Sequence, residues 1–187
     1  MSDALPSRIT TLLEAASFSA RAHRNQVRKD GQTPYAAHPF RVCLIVRHVF
    51  GIDDPDFLTA ALLHDTIEDT TTDFDDLEEK FGARVAGLVA ALSKDTRLPD
   101  EERETAYMAT LTAADPAVKV AKLADIFDNL TDSRHLAPRA RERTAERSRH
   151  YLAALATSLP EVARRPMELV QQLLAEFADT DRTIAAK

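Results

Sequence analysis

The sequence predicts an all-α protein folded as a single domain. Composition is the first reason. The chain has 4 Gly and no Trp, with few runs of β-branched residues. Strong helix formers such as Ala, Leu, Glu and Arg dominate instead. Patterning is the second reason. Apolar residues recur at three- and four-residue spacing along most of the chain. The third is punctuation. Asp54-Pro55 and Asp115-Pro116 each open an apolar stripe with a helix-capping carboxylate followed by a proline suited to the first turn. The 187 residues suffice for one real core, and no repeat or linker-like stretch divides them.

The elements follow in order. Ile9, Leu12, Leu13, Ala16 and Ala20 predict a first helix over 7–29, with Ser7 as a cap and a basic end that includes His23, Arg28 and Lys29. Asp30-Gly31 and Pro34 mark a turn. His38-Pro39 places a histidine at the entrance of a second helix. Val42, Cys43, Ile45, Val46 and Val49 pack that helix, and Gly51 ends it. The third helix starts at Pro55 and carries Phe57, Leu58, Ala61 and Leu62, then continues as His64-Asp65-Thr66-Ile67-Glu68-Asp69-Thr70. Asp73 caps a short helix from Phe74 to Phe81, stopped at Gly82. Further helices are expected over 84–93, 100–113 and from Pro116. On the last of these, Asp125 and Asn129 share one face. A charged segment over 138–150 leads to a helix with Tyr151, Leu152, Leu155 and Leu159. Pro160 and Pro166 mark breaks, a final helix ends near Phe177, and the tail after Ala178 is expected to fray. The total is about 8–10 helices.

Charge and composition exclude several function classes. A net charge of −6 gives no general attraction to nucleic acid or an anionic membrane. The Arg-rich stretch 139–149 is interleaved with Glu and reads as a solvated face. No apolar run approaches the roughly 20 residues that span a bilayer. A single cysteine rules out an intrachain disulfide framework and fits a reducing compartment, so a soluble, cytoplasmic protein is expected. The sequence gives no oligomeric state.

The third helix carries the chemistry. His64 and Asp65 continue its inward-facing stripe, and Glu68 and Asp69 lie one turn further along. Four ionisable groups on such a face are costly to bury without partners or a metal. His38, His64, Asp65 and Asp125 are candidate ligands on three separate helices. Imidazoles with carboxylates suit a borderline divalent ion such as manganese, iron or zinc, which acidifies bound water. Glu68 and Asp69 are placed to orient that water and move protons.

These residues resemble a known family. His38, the His64-Asp65 doublet and Asp125 form the pattern of the HD-domain metal-dependent phosphohydrolases. Further blocks extend the likeness: His23 to Lys29, Gly31 to Pro39, Ala60 to Thr70, Phe81-Gly82, Lys122 to Asp125 and Asn129-Leu130. In that order they are similar to the hydrolase domain of the RelA/SpoT homologues, and in length the chain is similar to the small alarmone hydrolases, including the metazoan SpoT-homologue type. The resemblance covers about residues 5–160, leaving 161–187 as a C-terminal helix and tail packed on the same domain. It implies an HD-type helical bundle that hydrolyses the 3′-pyrophosphate of (p)ppGpp with Mn²⁺, or another divalent transition metal, as cofactor. It makes His38, His64, Asp65 and Asp125 the metal ligands and Glu68 and Asp69 the catalytic carboxylates. Arg28, Lys29, Asn129, Arg147 and Tyr151 match positions that contact the guanosine nucleotide.

The chain departs from the family after Asp125. A basic residue usually follows the aspartate, and an aromatic or histidine usually precedes the asparagine. Ile126 and Asp128 stand there instead. If they face the phosphates, affinity for a highly charged alarmone falls; if they face away, nothing follows. Two other readings stay open: an HD phosphohydrolase for another nucleotide or dinucleotide phosphate, and a nucleotide-binding module without turnover.

Overall fold

The computed structural model describes the backbone of residues 7–185 and the side chains of residues 8–177. The described chain is helical and has no strand, as expected. Its helices are α1 (Ser7–Ala22), α2 (Ala37–Leu44), α3 (Pro55–Leu63), α4 (Thr66–Asp69), α5 (Phe74–Phe81), α6 (Ala83–Leu92), α7 (Asp100–Ala113), α8 (Pro116–Asp132), α9 (Pro138–Ala156) and α10 (Glu161–Ala185). A π-helical turn, Ile45–Val49, extends α2, and a 3₁₀ turn, Ser133–His135, follows α8. Among the described residues, no helix is long and apolar enough to cross a membrane.

Two helices organise the packing. The α3 helix is buried from Leu58 to Leu63 and lies against α1, α2 and α6. The α8 helix forms the second axis and contacts α2, α6, α9 and α10. It buries Val118, Val120, Leu123, Ala124, Ile126 and Leu130. Leu63, Leu77, Leu111, Leu123, Leu130 and Leu155 are wholly removed from solvent and join the layers into one core. Burying a leucine-sized side chain is worth about 1.5–3 kcal/mol. Lys119 is buried in this region too. Its Nζ donates to the carbonyls of Thr112 at 3.0 Å, Thr157 at 2.7 Å and Ser158 at 3.4 Å. It thereby satisfies carbonyls left over where α7 and α9 end.

Several boundaries differ from expectation. The first helix stops at Ala22, not near Lys29. Residues 26–35 form a closed loop instead, held by Arg28 N–H to Thr33 O at 2.8 Å and Tyr35 N–H to Gln26 O at 2.9 Å. The Asp30 carboxylate accepts from the Gln32 and Thr33 amides, both at 2.9 Å, and Gly31 takes φ +74°. The Asp-Gly turn therefore reaches back further than the apolar pattern suggested. The segment 138–150 is not a separate charged stretch. It is the first part of α9, with Pro138 at the helix start and Ala145, Ser148 and Tyr151 buried at three-residue spacing. Pro166 lies inside α10 rather than breaking it. The carbonyl it leaves unpaired belongs to Val162, which is exposed. The last helix continues past Phe177 to Ala185, so the backbone is helical where a frayed tail was expected after Ala178; residues 186–187 lie outside the described residues.

Candidate active site

The site begins with the local chemistry of α3. Asp54 caps it by accepting the amides of Asp56 at 2.9 Å and Phe57 at 3.3 Å, and Pro55 takes the first position. The helix then breaks at His64-Asp65, where one continuous helix was expected. Thr66 Oγ1 donates to the Leu63 carbonyl at 2.7 Å, and His64 Nδ1 lies 2.9 Å from the Ala61 carbonyl. These side chains take up carbonyls at the end of α3, so the chain can turn and restart as α4. The bond to a carbonyl also fixes the His64 tautomer. Nδ1 carries the proton and Nε2 keeps a lone pair.

Three helices meet at that lone pair. His38 enters from the start of α2, and its Nε2 lies 3.2 Å from His64 Nε2. Asp65 Oδ2 is 3.2 Å from His64 Nε2 and 3.5 Å from His38 Nε2. Asp125 Oδ1, from α8, is 3.2 Å from His38 Nε2. Donor atoms of His38, His64 and Asp65 all lie within 4.8 Å of one another. Asp125 is further positioned by Lys122 Nζ at 2.8 Å and Asn129 Nδ2 at 2.5 Å. Two imidazole nitrogens and two carboxylates with free lone pairs fit a divalent metal.

The electrostatics of these groups are uneven. Burial alone would raise the Asp125 pKa. Lys122 outweighs it, with His38 and His64, and holds the carboxyl well below its ordinary value. Asp65 is likewise kept ionised against burial by His64 and His38. Glu68 and Asp69 go the other way. Burial raises Glu68, opposed by the Lys94 amide that it accepts at 2.9 Å. Burial and then Asp65 raise Asp69, opposed by the Tyr35 hydroxyl. That hydroxyl sits 2.6 Å from Asp65 Oδ2 and 3.1 Å from Asp69 Oδ2, between a candidate ligand and a candidate acid–base group.

A cleft of about 500 Å³ opens over this cluster. His38, Asp65, Glu68, Asp69 and Asp125 line it, as do Arg28, Lys29, Asn129, Arg147 and Tyr151. His64 lies behind them and is buried. Arg28 is anchored by Asn129 Oδ1 and Asp132 Oδ2, both at 2.9 Å. Lys29 has its pKa lowered by burial and by the neighbouring Arg147, Arg28 and Arg143. Arg143 and Arg147 make no hydrogen bond or ion pair among the described residues. Part of the stretch read as a solvated face therefore lines the cleft. The Tyr151 hydroxyl is already engaged, donating to Glu104 Oε2 at 3.0 Å.

The HD domain family pattern matches residues 15–161. The human guanosine-3′,5′-bis(diphosphate) 3′-pyrophosphohydrolase MESH1 is 47% identical over 128 residues, spanning 68% of this chain and 72% of the human one. The chain belongs to the HD domain family, in its MESH1 branch. The corresponding pyrophosphohydrolase of Aquifex aeolicus is 34% identical over 157 residues, which are 82% of this chain and 22% of that longer protein. A solved metazoan SpoT orthologue, described as hydrolysing ppGpp, superposes with a TM-score of 0.76 at 30% identity, covering 90% of this chain and 97% of its own.

Within this HD domain, the two departures after Asp125 separate. Ile126 lines the cleft. Asp128 does not; it is buried behind His38. Sequence reasoning gave no role to Tyr35, Lys94, Lys122 or Arg143, yet all four line the cleft. Tyr35 and Lys122 stand within the blocks Gly31 to Pro39 and Lys122 to Asp125 that resemble the family, so a signal for them existed. Lys94 did not have one: it follows α6 in an irregular segment and reaches the cleft only through the tertiary fold. Its Nζ lies 5.4 Å from the ring centroids of both Tyr107 and Tyr151, and Lys122 Nζ lies 5.3 and 4.7 Å from the same two rings.

Proposed function

We propose that this protein is a metal-dependent hydrolase that removes the 3′-pyrophosphate of (p)ppGpp, giving GDP or GTP and pyrophosphate. The carrying observation is one cleft that joins a His-His-Asp donor cluster to two carboxylates whose pKa values are pushed upward. The identity to the human pyrophosphohydrolase supports the substrate class. His38, His64, Asp65 and Asp125 would hold the ion, and Mn²⁺ suits their mixture of imidazole and carboxylate. When bound, such an ion supplies Lewis acidity and lowers the pKa of water.

The chain's own residues do the rest. Glu68 and Asp69 face the same cleft, and burial raises both carboxyl pKa values above the ordinary range, the direction that favours proton transfer. Lys94 and Lys122 bring cationic charge close to these acids, where negative charge accumulates as a phosphoryl oxygen bond breaks. Arg28, Lys29, Asn129 and Arg147 form the nucleotide side, with the Tyr151 ring as wall. The catalytic core spans 5–160, the described part of α10 packs on α8 and α9 of the same domain, and the protein works in the cytoplasm.

The test is a product assay. Manganese-loaded protein is given ppGpp, and pyrophosphate and orthophosphate are measured separately. Pyrophosphate release is expected. No pyrophosphate from a folded, metal-loaded protein overturns the substrate assignment.

A further inference from the structure

We infer that Asp128 is a positioning residue for the metal centre, aiming His38 at the ion; this rests on the metal-site reading above. The His38 ring has two nitrogens with different neighbours. Nε2 faces His64, Asp65 and Asp125 at 3.2, 3.5 and 3.2 Å, so it is the atom turned to the donor cluster. Nδ1 faces away, 2.7 Å from Asp128 Oδ2. An acceptor at that place keeps the proton on Nδ1 and leaves the Nε2 lone pair for an ion. It also fixes the rotation of the ring, because a second contact at Nδ1 defines the ring plane.

Asp128 can do this because it is itself immobilised. It is 2% exposed, and both carboxylate oxygens are engaged. Arg41 Nε donates to Oδ1 at 2.6 Å and Arg41 Nη2 to Oδ2 at 3.0 Å, a two-pronged contact. Arg28 Nη2 lies 3.9 Å from Oδ2. Asp132 completes the frame, accepting from Arg28 Nε at 2.9 Å and pairing with Arg41 Nη2 at 3.0 Å. Two arginines, braced by Asp132, thus hold the Asp128 carboxylate in register with the His38 ring. Arg28 also binds Asn129, which donates to Asp125. The frame therefore reaches two of the four candidate ligands, one through each of the adjacent residues Asp128 and Asn129. Asp128 stands where the related hydrolases usually carry an aromatic or histidine, so this chain places a formal negative charge behind its histidine.

The experiment is a calorimetric titration of metal-free protein with Mn²⁺, alongside thermal unfolding without metal. The variants are Asp128→Ala, Asp128→Asn and Arg41→Ala. Removing an outer-shell partner of a metal-bound histidine weakens metal affinity about 10–100-fold, and that loss is expected for Asp128→Ala. Asp128→Asn keeps an acceptor oxygen but not the charge, so its loss should be smaller. Arg41→Ala leaves the Nδ1 contact in place and should lower the melting temperature more than it lowers affinity. Asp128→Asn has the shape of the native residue and gives the answer if Asp128→Ala does not fold. Lowered melting temperatures with wild-type Mn²⁺ affinity in both Asp128 variants would overturn the inference, leaving Asp128 a purely structural ion-pair partner. Wild-type protein that takes up no Mn²⁺ would instead overturn the metal-site reading on which the inference stands.

Discussion

Replacing Tyr35 by Phe removes one oxygen from the centre of the site and little else. The ring stays packed, with His23 at 4.8 Å between centroids and the Arg28 guanidinium 5.5 Å from the ring centroid. The lost hydroxyl has a single proton and two carboxylate neighbours, at 2.6 and 3.1 Å. It can donate to only one at a time, so the change removes one hydrogen bond to a charged acceptor. Such bonds are worth about 1.5–3 kcal/mol, or roughly 10–150-fold in a rate if the whole loss falls on the transition state. Part of it falls on the ground state, so a kcat loss of about 10–30-fold is expected, with the melting temperature lowered by a few degrees.

A pH signature accompanies that loss. The hydroxyl lowers the Asp69 pKa, against burial and Asp65, which raise it. Without the hydroxyl the Asp69 pKa rises further. On the proposed role Asp69 works as a carboxylate, so activity should be lost as pH falls through that pKa, and the acid limb should move to higher pH. The assay is steady-state pyrophosphate release from ppGpp at saturating manganese across the pH range. A Tyr35→Phe enzyme with kcat within twofold of wild type and an unmoved acid limb would refute the reasoning.

Other outcomes follow from the same geometry. Asp125→Ala should abolish tight Mn²⁺ binding, whereas Glu68→Gln should keep it and lose about 10²–10⁴-fold in turnover; calorimetry and single-turnover rates separate the two, and equal metal affinity with full activity in both would mean the site is misplaced. Stripping metal with a chelator should lower thermal stability, since ligand at a hundredfold excess over its Kd stabilises by about 2.7 kcal/mol; an unchanged melting curve would count against a resident ion. Lys119→Met keeps the buried stem but abandons the carbonyls of Thr112, Thr157 and Ser158. Partly offset by the relief of burying an ammonium, the cost should be about 1–3 kcal/mol in urea unfolding at constant m-value; a variant as stable as wild type would show that water serves those helix ends equally well.

What was legible in the sequence was local. The Asp73 cap and Gly82 stop bounded α5 because those signals act within a few residues; the structure adds that Asp76 bonds back to complete a capping box. Asp54-Pro55 and Asp115-Pro116 fixed two helix starts for the same reason. The break at His64-Asp65 was hidden, since the apolar row runs on through it while the decision is made by Thr66 and His64 bonding back to α3. The merged α9 was hidden by charge, because only Ala145 and Ser148 are buried within 138–150 and its other faces there are mostly open to water. Lys94 and Asp128 were the hardest residues to place. Asp128 meets His38 across 90 positions of sequence, and Lys94 meets Glu68 across 26. Neither pairing leaves a periodic trace.

The wall made by α9 and the loop 26–35 has a kinetic consequence. The molecule carries a formal charge of −6, so at long range it repels a polyanion. One side of the cleft gathers cations: Lys29, its pKa lowered first by burial and then by Arg147, Arg28 and Arg143, shares it with those arginines. Capture of a multiply charged nucleotide is therefore governed by the nearby field of a few side chains, and the distant field of the whole protein opposes it. Added salt should slow association, because screening a local attraction costs more than screening a diffuse repulsion gains. Net charge taken alone would give the opposite sign.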